Sequence, residues 1–331
     1  MTVPGRPLGR LAANLLVLAL YHTLSRLPFG LRYRVAMAAG RAIYLAWGKG
    51  RARLKHNLSL IAPGLGGEEL EALAREVLKT IVRDWAALFR TGKSDLVETT
   101  RLLEVEGAAN VIARVVNRGG RAFADRVVLA GIHMGSFGAG LDAFSLFQIP
   151  VYAPAESIRP DALLRLMVKL RSRGFLRLEP IERGTTRARM AQRMDCGWAV
   201  GVMVDIMSRR PGGGVACRVG DGVGWFETGA VRLALERQAV IFPIFVLWTG
   251  EKYRIVVEEE FRPVASGDAD RDVEVNTRRL IEERIAPWIE LHPGQWMQAP
   301  WAGLAPAPHT PGAAAGPLET ARDPGRPHSS K

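Results

Sequence analysis

The chain has 331 residues, 48% of them hydrophobic, and 45 Lys and Arg against 33 Asp and Glu give it a formal net charge of +12. That is enough apolar chain for one large globular domain or two small ones, and the positive balance favours polyanionic partners: nucleic acid, anionic lipid or an acidic protein. Cys196 and Cys217 lack C-x-x-C spacing and a nearby histidine, which argues against a zinc cluster or a disulfide framework and for a reducing compartment.

In chain order, residues 8–48 read as two apolar helices separated by Leu27-Pro28-Phe29-Gly30. The apolar run Leu11 to Tyr21 is flanked by Arg6, Arg10 and Arg26. As a helix it covers roughly 16 Å, about half of a ~30 Å hydrocarbon core. It does not span a bilayer, and no A-x-A cleavage site follows it promptly. An interfacial or buried helix is expected. RARLKHNLSLIAPGL, Arg51 to Leu65, is basic and then apolar. From Glu68 to Phe89 the pattern is helical, with Leu70, Leu73, Val77, Leu78, Ile81, Trp85 and Leu88 on one broad face. Gly107 to Val116 reads as a further helix.

Then the pattern changes. Expected strands are Val127–Ile132, Ile149–Tyr152, Leu176–Leu178, Trp198–Val204, Val240–Leu247 and Tyr253–Val257. Expected helices between them are Ser136–Phe147, Pro160–Arg173, Thr185–Met194 and Glu227–Arg237, and Val273–Leu291 closes the domain. Alternation of this kind predicts an α/β fold, a mostly parallel central sheet flanked by helices, with an N-terminal helical membrane-associating segment. One domain is expected over residues 1–301. From Ala302 on, Pro, Gly and Ala dominate, and 302–331 reads as a disordered tail.

The chemistry concentrates in VLAGIHMGSFGAGLDAF, Val128 to Phe144. An apolar strand ends in His133, and a helix follows whose first turn is nearly bare of side chains. In open α/β sheets the crevice at strand C-termini is where ligands bind. A histidine there can take a hydroxyl proton near neutral pH. The plainer alternative is a hydrogen-bonded structural histidine. Gly135 and the helix start offer N–H groups to an anion, or the glycines serve only close packing. A Ser at a strand-to-helix turn, Ser136, offers a hydrolase nucleophile as an alternative; Met134 where G-x-S-x-G needs glycine, and His133 only three residues away, speak against it.

HMGSFG, His133 to Gly138, resembles the HxxxxD/E motif of the lysophospholipid acyltransferase superfamily. The similar branch contains the lipid A biosynthesis acyltransferases and the phosphatidylinositol mannoside acyltransferases, whose motif reads H-x-G-N-W-E or H-x-G-N-W-D. Further blocks agree in order. Arg51–Leu65 resembles the branch's basic segment with N-L and a hydrophobic-Pro pair. APAESIRPDALLRLMVKLRSRGF, from Ala153, resembles E-x-x-x-P followed by a helix ending in R-x-x-G. GWAVGVMVDIMSRR resembles a strand ending in Asp, here Asp205. VGDGVGWFETGAVRLALERQAVIFPIFV resembles F-x-T-G-x-x-x-L-A before a strand with Pro, and HPGQWMQAPW resembles the branch's H-P-E-Q-W terminus.

The resemblance implies an O-acyltransferase. His133 would deprotonate an acceptor hydroxyl, whose oxygen attacks the thioester of acyl-coenzyme A or acyl carrier protein. The acceptor would be a membrane lipid or glycolipid on the cytoplasmic face of the cell membrane, the protein bound peripherally. No cofactor, metal or nucleic acid is implied. The carboxylate five residues after the histidine, which orients it, is here Gly138, and the usual Asn is Ser136. Asp142 is the next carboxylate along the helix, too far along the axis for direct contact. Asp205 or Glu156 could supply the charge across the crevice, or serve as caps or ion-pair members. Catalytic candidates are therefore His133 and Asp205. Substrate-binding candidates are Gly135, Ser136, Glu156, Arg159, Arg171 and Arg173, the last three from a basic run, Arg159 to Arg193, that reads either as a docking surface for an acidic donor or lipid or as a solvated face. The rival function is a catalytically silent lipid-binding or scaffold homologue that lost the motif carboxylate.

Overall fold

The computed structural model describes residues 7–91, 100–112, 114, 125–156, 158–172, 174–208, 210 and 212–308. Four helices come first: α1 (Pro7–Leu24), α2 (Phe29–Ala46), α3 (Gly48–Ile61) and α4 (Gly67–Thr91). The remainder alternates. It runs β1 (Leu103–Glu106), α5 (Ala108–Ile112), β2 (Val127–Gly131), α6 (Phe137–Leu146), β3 (Val151–Ala155), α7 (Asp161–Arg171), β4 (Leu176–Pro180), α8 (Thr186–Asp195) and β5 (Ala199–Met203). After these come the hairpin β6 (Val215–Val219) and β7 (Gly222–Phe226), then α9 (Gly229–Arg237), β8 (Val240–Trp248), β9 (Tyr253–Val257), α10 (Ala269–Arg279) and α11 (Ala286–Leu291).

Seven strands form one sheet in the order β1-β9-β8-β2-β5-β3-β4. Every neighbouring pair is parallel except β8 with β9. Both faces are covered, as parallel sheets require. In β2, Val128 and Ala130 enter one apolar cluster with Phe245, Leu280 and Ile285, while Val127 and Leu129 enter another with Phe144, Val151 and Ile244. This two-sided burial is why β2 reads as a continuous apolar run. The mostly parallel sheet expected from the alternation is present.

Several details differ from the expectation. β1 was not anticipated, because a four-residue edge strand that is half-buried on one face carries little apolar signal. The β6–β7 hairpin is a further addition to the expected strands, closed by Gly220-Asp221, a two-residue turn of a recognised kind. The helix expected from Val273 starts at Ala269, where Asp268 caps it by accepting the Arg271 N–H at 3.1 Å. A π-helical turn at Leu280–Ile285 interrupts it. The helix expected over Gly107–Val116 is described only as Ala108–Ile112. Ala305–Pro306 pairs with β7, past the expected boundary at 301, and residues 309–331 of the tail lie outside the described residues.

The N-terminal helices are built onto the domain. Leu166 and Leu170 of α7 pack with Val17 and Tyr21 of α1, and Asn14 Oδ1 accepts the Ala162 N–H at 2.8 Å. Leu15, Leu16, Leu18 and Leu20 of α1 and Leu31, Val35, Ile43 and Leu45 of α2 stay exposed. Among the described residues no helix is long and apolar enough to cross a membrane.

Candidate active site

β2 and β5 are parallel neighbours, so the residues just beyond their C-terminal ends are brought side by side. His133 follows β2 and Asp205 follows β5. Asp205 Oδ1 lies 2.8 Å from His133 Nδ1, and Oδ2 accepts the His133 backbone N–H at 2.9 Å. Oδ2 also accepts the indole N–H of Trp296 at 2.9 Å. The Asp205 carboxylate is wholly buried, and three donors satisfy it, as a buried charge requires. The contact to a carboxylate assigns the Nδ1 position a proton, which leaves Nε2 the basic nitrogen. Gln298 Nε2, at 3.3 Å from Nδ1, is the weaker neighbour. His133 is 20% exposed at its side chain. Burial alone would push its pKa down, and that is the largest single influence. The carboxylates of Asp205 and Asp84 together outweigh it, against the opposing Arg171, and the net shift is upward.

The His133 loop is fastened by the C-terminal segment. The Met297 N–H donates to the His133 carbonyl at 2.7 Å and the Gly135 N–H to the Gln295 carbonyl at 3.0 Å. The side chain of Gln295 in turn bonds both backbone groups of Trp248. Gly135 has φ +56°, and a Cβ there would lie 2.2 Å from the Val246 carbonyl oxygen. Only glycine passes without strain.

His133 opens onto a cavity of about 480 Å3 that runs under α6 and α7 along the sheet. Its lining is mostly apolar and includes Leu129, Val151, Ala153, Met203, Ile244 and Val246. Gly131 and Gly201 also line it; a Cβ at Gly131 would lie 3.3 Å from Met203 Sδ and one at Gly201 3.4 Å from Val151 Cγ1. Asp84, Glu156 and Arg171 are its charged lining.

A family model for bacterial lipid A biosynthesis acyltransferases matches residues 8–299. The chain belongs to that family. Among curated proteins no significant match is found. Membership carries acyltransferase activity at the level of the family.

Several expected site residues take other positions within this acyltransferase fold. Gly135 and Ser136 do not present polar groups to a ligand. The Gly135 N–H is engaged by Gln295, and Ser136 is buried with its hydroxyl donating to Asp84 Oδ1 at 2.9 Å. Glu156 stands at the cavity, whereas Arg159 pairs with Asp161 and does not line it. Arg171 is not part of a surface patch. It is buried against Asp84 at 3.2 Å and stacks 4.3 Å above the Phe137 ring. Arg173 lies outside the described residues, as does the Asp142 side chain. Much of the basic run is internally neutralised, through Arg187–Glu236, Arg189–Glu182 and Arg193–Glu179. Arg165, Lys169, Arg177 and Arg183 are exposed with no ion pair among the described residues.

Two parts of the site escaped the sequence reading. Trp296 lies in the HPGQWMQAPW block, but its role as donor to Asp205 depends on the fold. Asp84 carries a signal in the sequence: it falls three residues after Ile81, on the apolar stripe of α4, where a charge needs a buried partner.

Proposed function

We propose that the chain transfers a fatty acyl group from a thioester, acyl-coenzyme A or acyl carrier protein, to a hydroxyl of a membrane lipid or glycolipid. The observation that carries this is His133, held by Asp205 at the mouth of an apolar cavity. The acceptor hydroxyl gives its proton to His133 Nε2 as its oxygen attacks the thioester carbonyl. Asp205 stabilises the resulting imidazolium through Nδ1–H, as the buried Asp of a serine protease triad does. Collapse of the tetrahedral intermediate breaks the C–S bond, and the proton passes from Nε2 to the leaving thiolate. The acyl chain lies along Leu129, Val151, Ile244 and Val246.

A buried carboxylate within hydrogen-bond reach of the histidine favours this function over the silent homologue, which needs an apolar wall there. Membrane attachment is peripheral, on the cytoplasmic face, through the exposed leucines of α1 and α2. The acceptor is of the class the lipid A and phosphatidylinositol mannoside enzymes use, a hydroxyl of an anionic glycolipid, which suits the net charge of +12. The test is donor-thioester consumption by wild type and His133→Ala with a panel of lipid acceptors. Loss of turnover in the variant is expected. Equal background rates in the two proteins would leave the lipid-binding scaffold.

A further inference from the structure

Both departures from the family motif converge on one residue. Ser136, in the place of the usual Asn, donates its hydroxyl to Asp84 Oδ1 at 2.9 Å. Gly138, in the place of the carboxylate, leaves room for Arg171. A Cβ at 138 would lie 3.3 Å from Arg171 Nη2 and 3.4 Å from Nε, so a side chain there would press on the guanidinium. That guanidinium pairs with Asp84 Oδ2 at 3.2 Å, and both side chains are about 95% buried, with exposures of 6% and 5%. Phe137 lies between Arg171 and His133, its ring centroid 5.0 Å from the imidazole and 4.3 Å from Arg171 Cζ. Asp84 thereby joins α4, the start of α6 and the end of α7 around one wall of the cavity.

We propose that Asp84 is a second, positioning carboxylate of this site, acting on His133 through Arg171 and Phe137. Asp205 orients the histidine. Asp84 fixes Arg171 across Phe137 and cancels a buried cation that would otherwise oppose protonation of the base. The charged groups around His133 are Asp205 beyond β5, Asp84 on α4 and Arg171 on α7, with Glu156 after β3 on the lining of the same cavity. Arg171 without its partner would make His133 a weaker base. The physical requirement is a carboxylate on Arg171, which Asp84 provides.

This inference rests on the acyltransferase function, so two readouts are needed. Asp84→Asn keeps the shape and an acceptor for Ser136 while removing the charge. It is expected to lower kcat at least tenfold and to move both the acid limb of kcat and the His133 imidazole titration, followed by NMR, to lower pH. Adding Gly138→Asp to Asp84→Asn places a carboxylate beside the guanidinium, 3.3 Å from Nη2 at its Cβ, and should restore the titration and part of kcat. A His133 titration unchanged in Asp84→Asn overturns the proposal, as does a double variant that recovers neither quantity, which would make Asp84 a structural ion-pair partner only. Should Asp84→Asn fail to fold, Asp84→Asn with Arg171→Met removes both charges, and its His133 titration is expected to lie closer to wild type than that of Arg171→Met alone lies. The opposite order refutes the idea. The titration needs no turnover. Inactive wild type with the expected titrations would therefore count against the enzyme function and not against the role of Asp84.

Discussion

Asp205→Asn separates catalysis from stability. The native carboxylate accepts from three donors, His133 Nδ1–H, the His133 backbone N–H and Trp296 Nε1–H. An amide has one acceptor oxygen and one donor nitrogen. With its oxygen in the Oδ2 position it keeps two of the three bonds. The NH2 then faces Nδ1, which can only accept from it, and the ring proton moves to Nε2. That tautomer cannot take a proton from the acceptor hydroxyl. The wrong tautomer costs about 10⁴ in kcat where this has been isolated in a triad, or roughly 5 kcal/mol of activation free energy. The cost to folding is smaller, about 1–3 kcal/mol for a strained or lost buried hydrogen bond. Thioester consumption and urea unfolding of the same preparations measure both quantities. A variant that retains activity within tenfold of wild type, or loses activity only in proportion to its unfolded fraction, would refute the role given to Asp205.

Gly135→Ala should destabilise by more than ~1 kcal/mol, because the residue is at φ +56° and its Cβ meets the Val246 carbonyl; an unchanged urea midpoint would contradict this. The acid limb of kcat/KM should lie above the ordinary histidine range of about 6.5, since the base must be neutral and its folded-state pKa is raised. The same shift makes His133 stabilising below its unfolded pKa, and that contribution fades as pH rises through the folded value. Urea midpoints of wild type should thus decline across that window relative to His133→Ala, and parallel profiles would argue against a raised pKa. Leu16→Asp with Leu45→Asp should weaken sedimentation with anionic vesicles while leaving the thermal midpoint nearly unchanged, because both side chains are exposed; binding equal to wild type would move the membrane contact elsewhere.

The sequence by itself determined the class of fold. Strands buried on both faces need continuous apolar runs, and those runs mark β2, β5 and β8 within a residue or two. It also singled out His133 and Asp205, each as a polar residue ending such a run. What it could not carry was their distance. They are 72 residues apart, and they meet only because β5 lies beside β2 while β3 and β4 lie beyond it. Strand order comes from how helices pack across the whole sheet, and no local pattern encodes it. The same holds for the charges. Arg171 belonged by composition to a basic surface run, yet α7 turns it inward onto Asp84 from α4. A side chain on an amphipathic helix is buried or solvated according to the neighbour its face receives, and only tertiary packing supplies that neighbour.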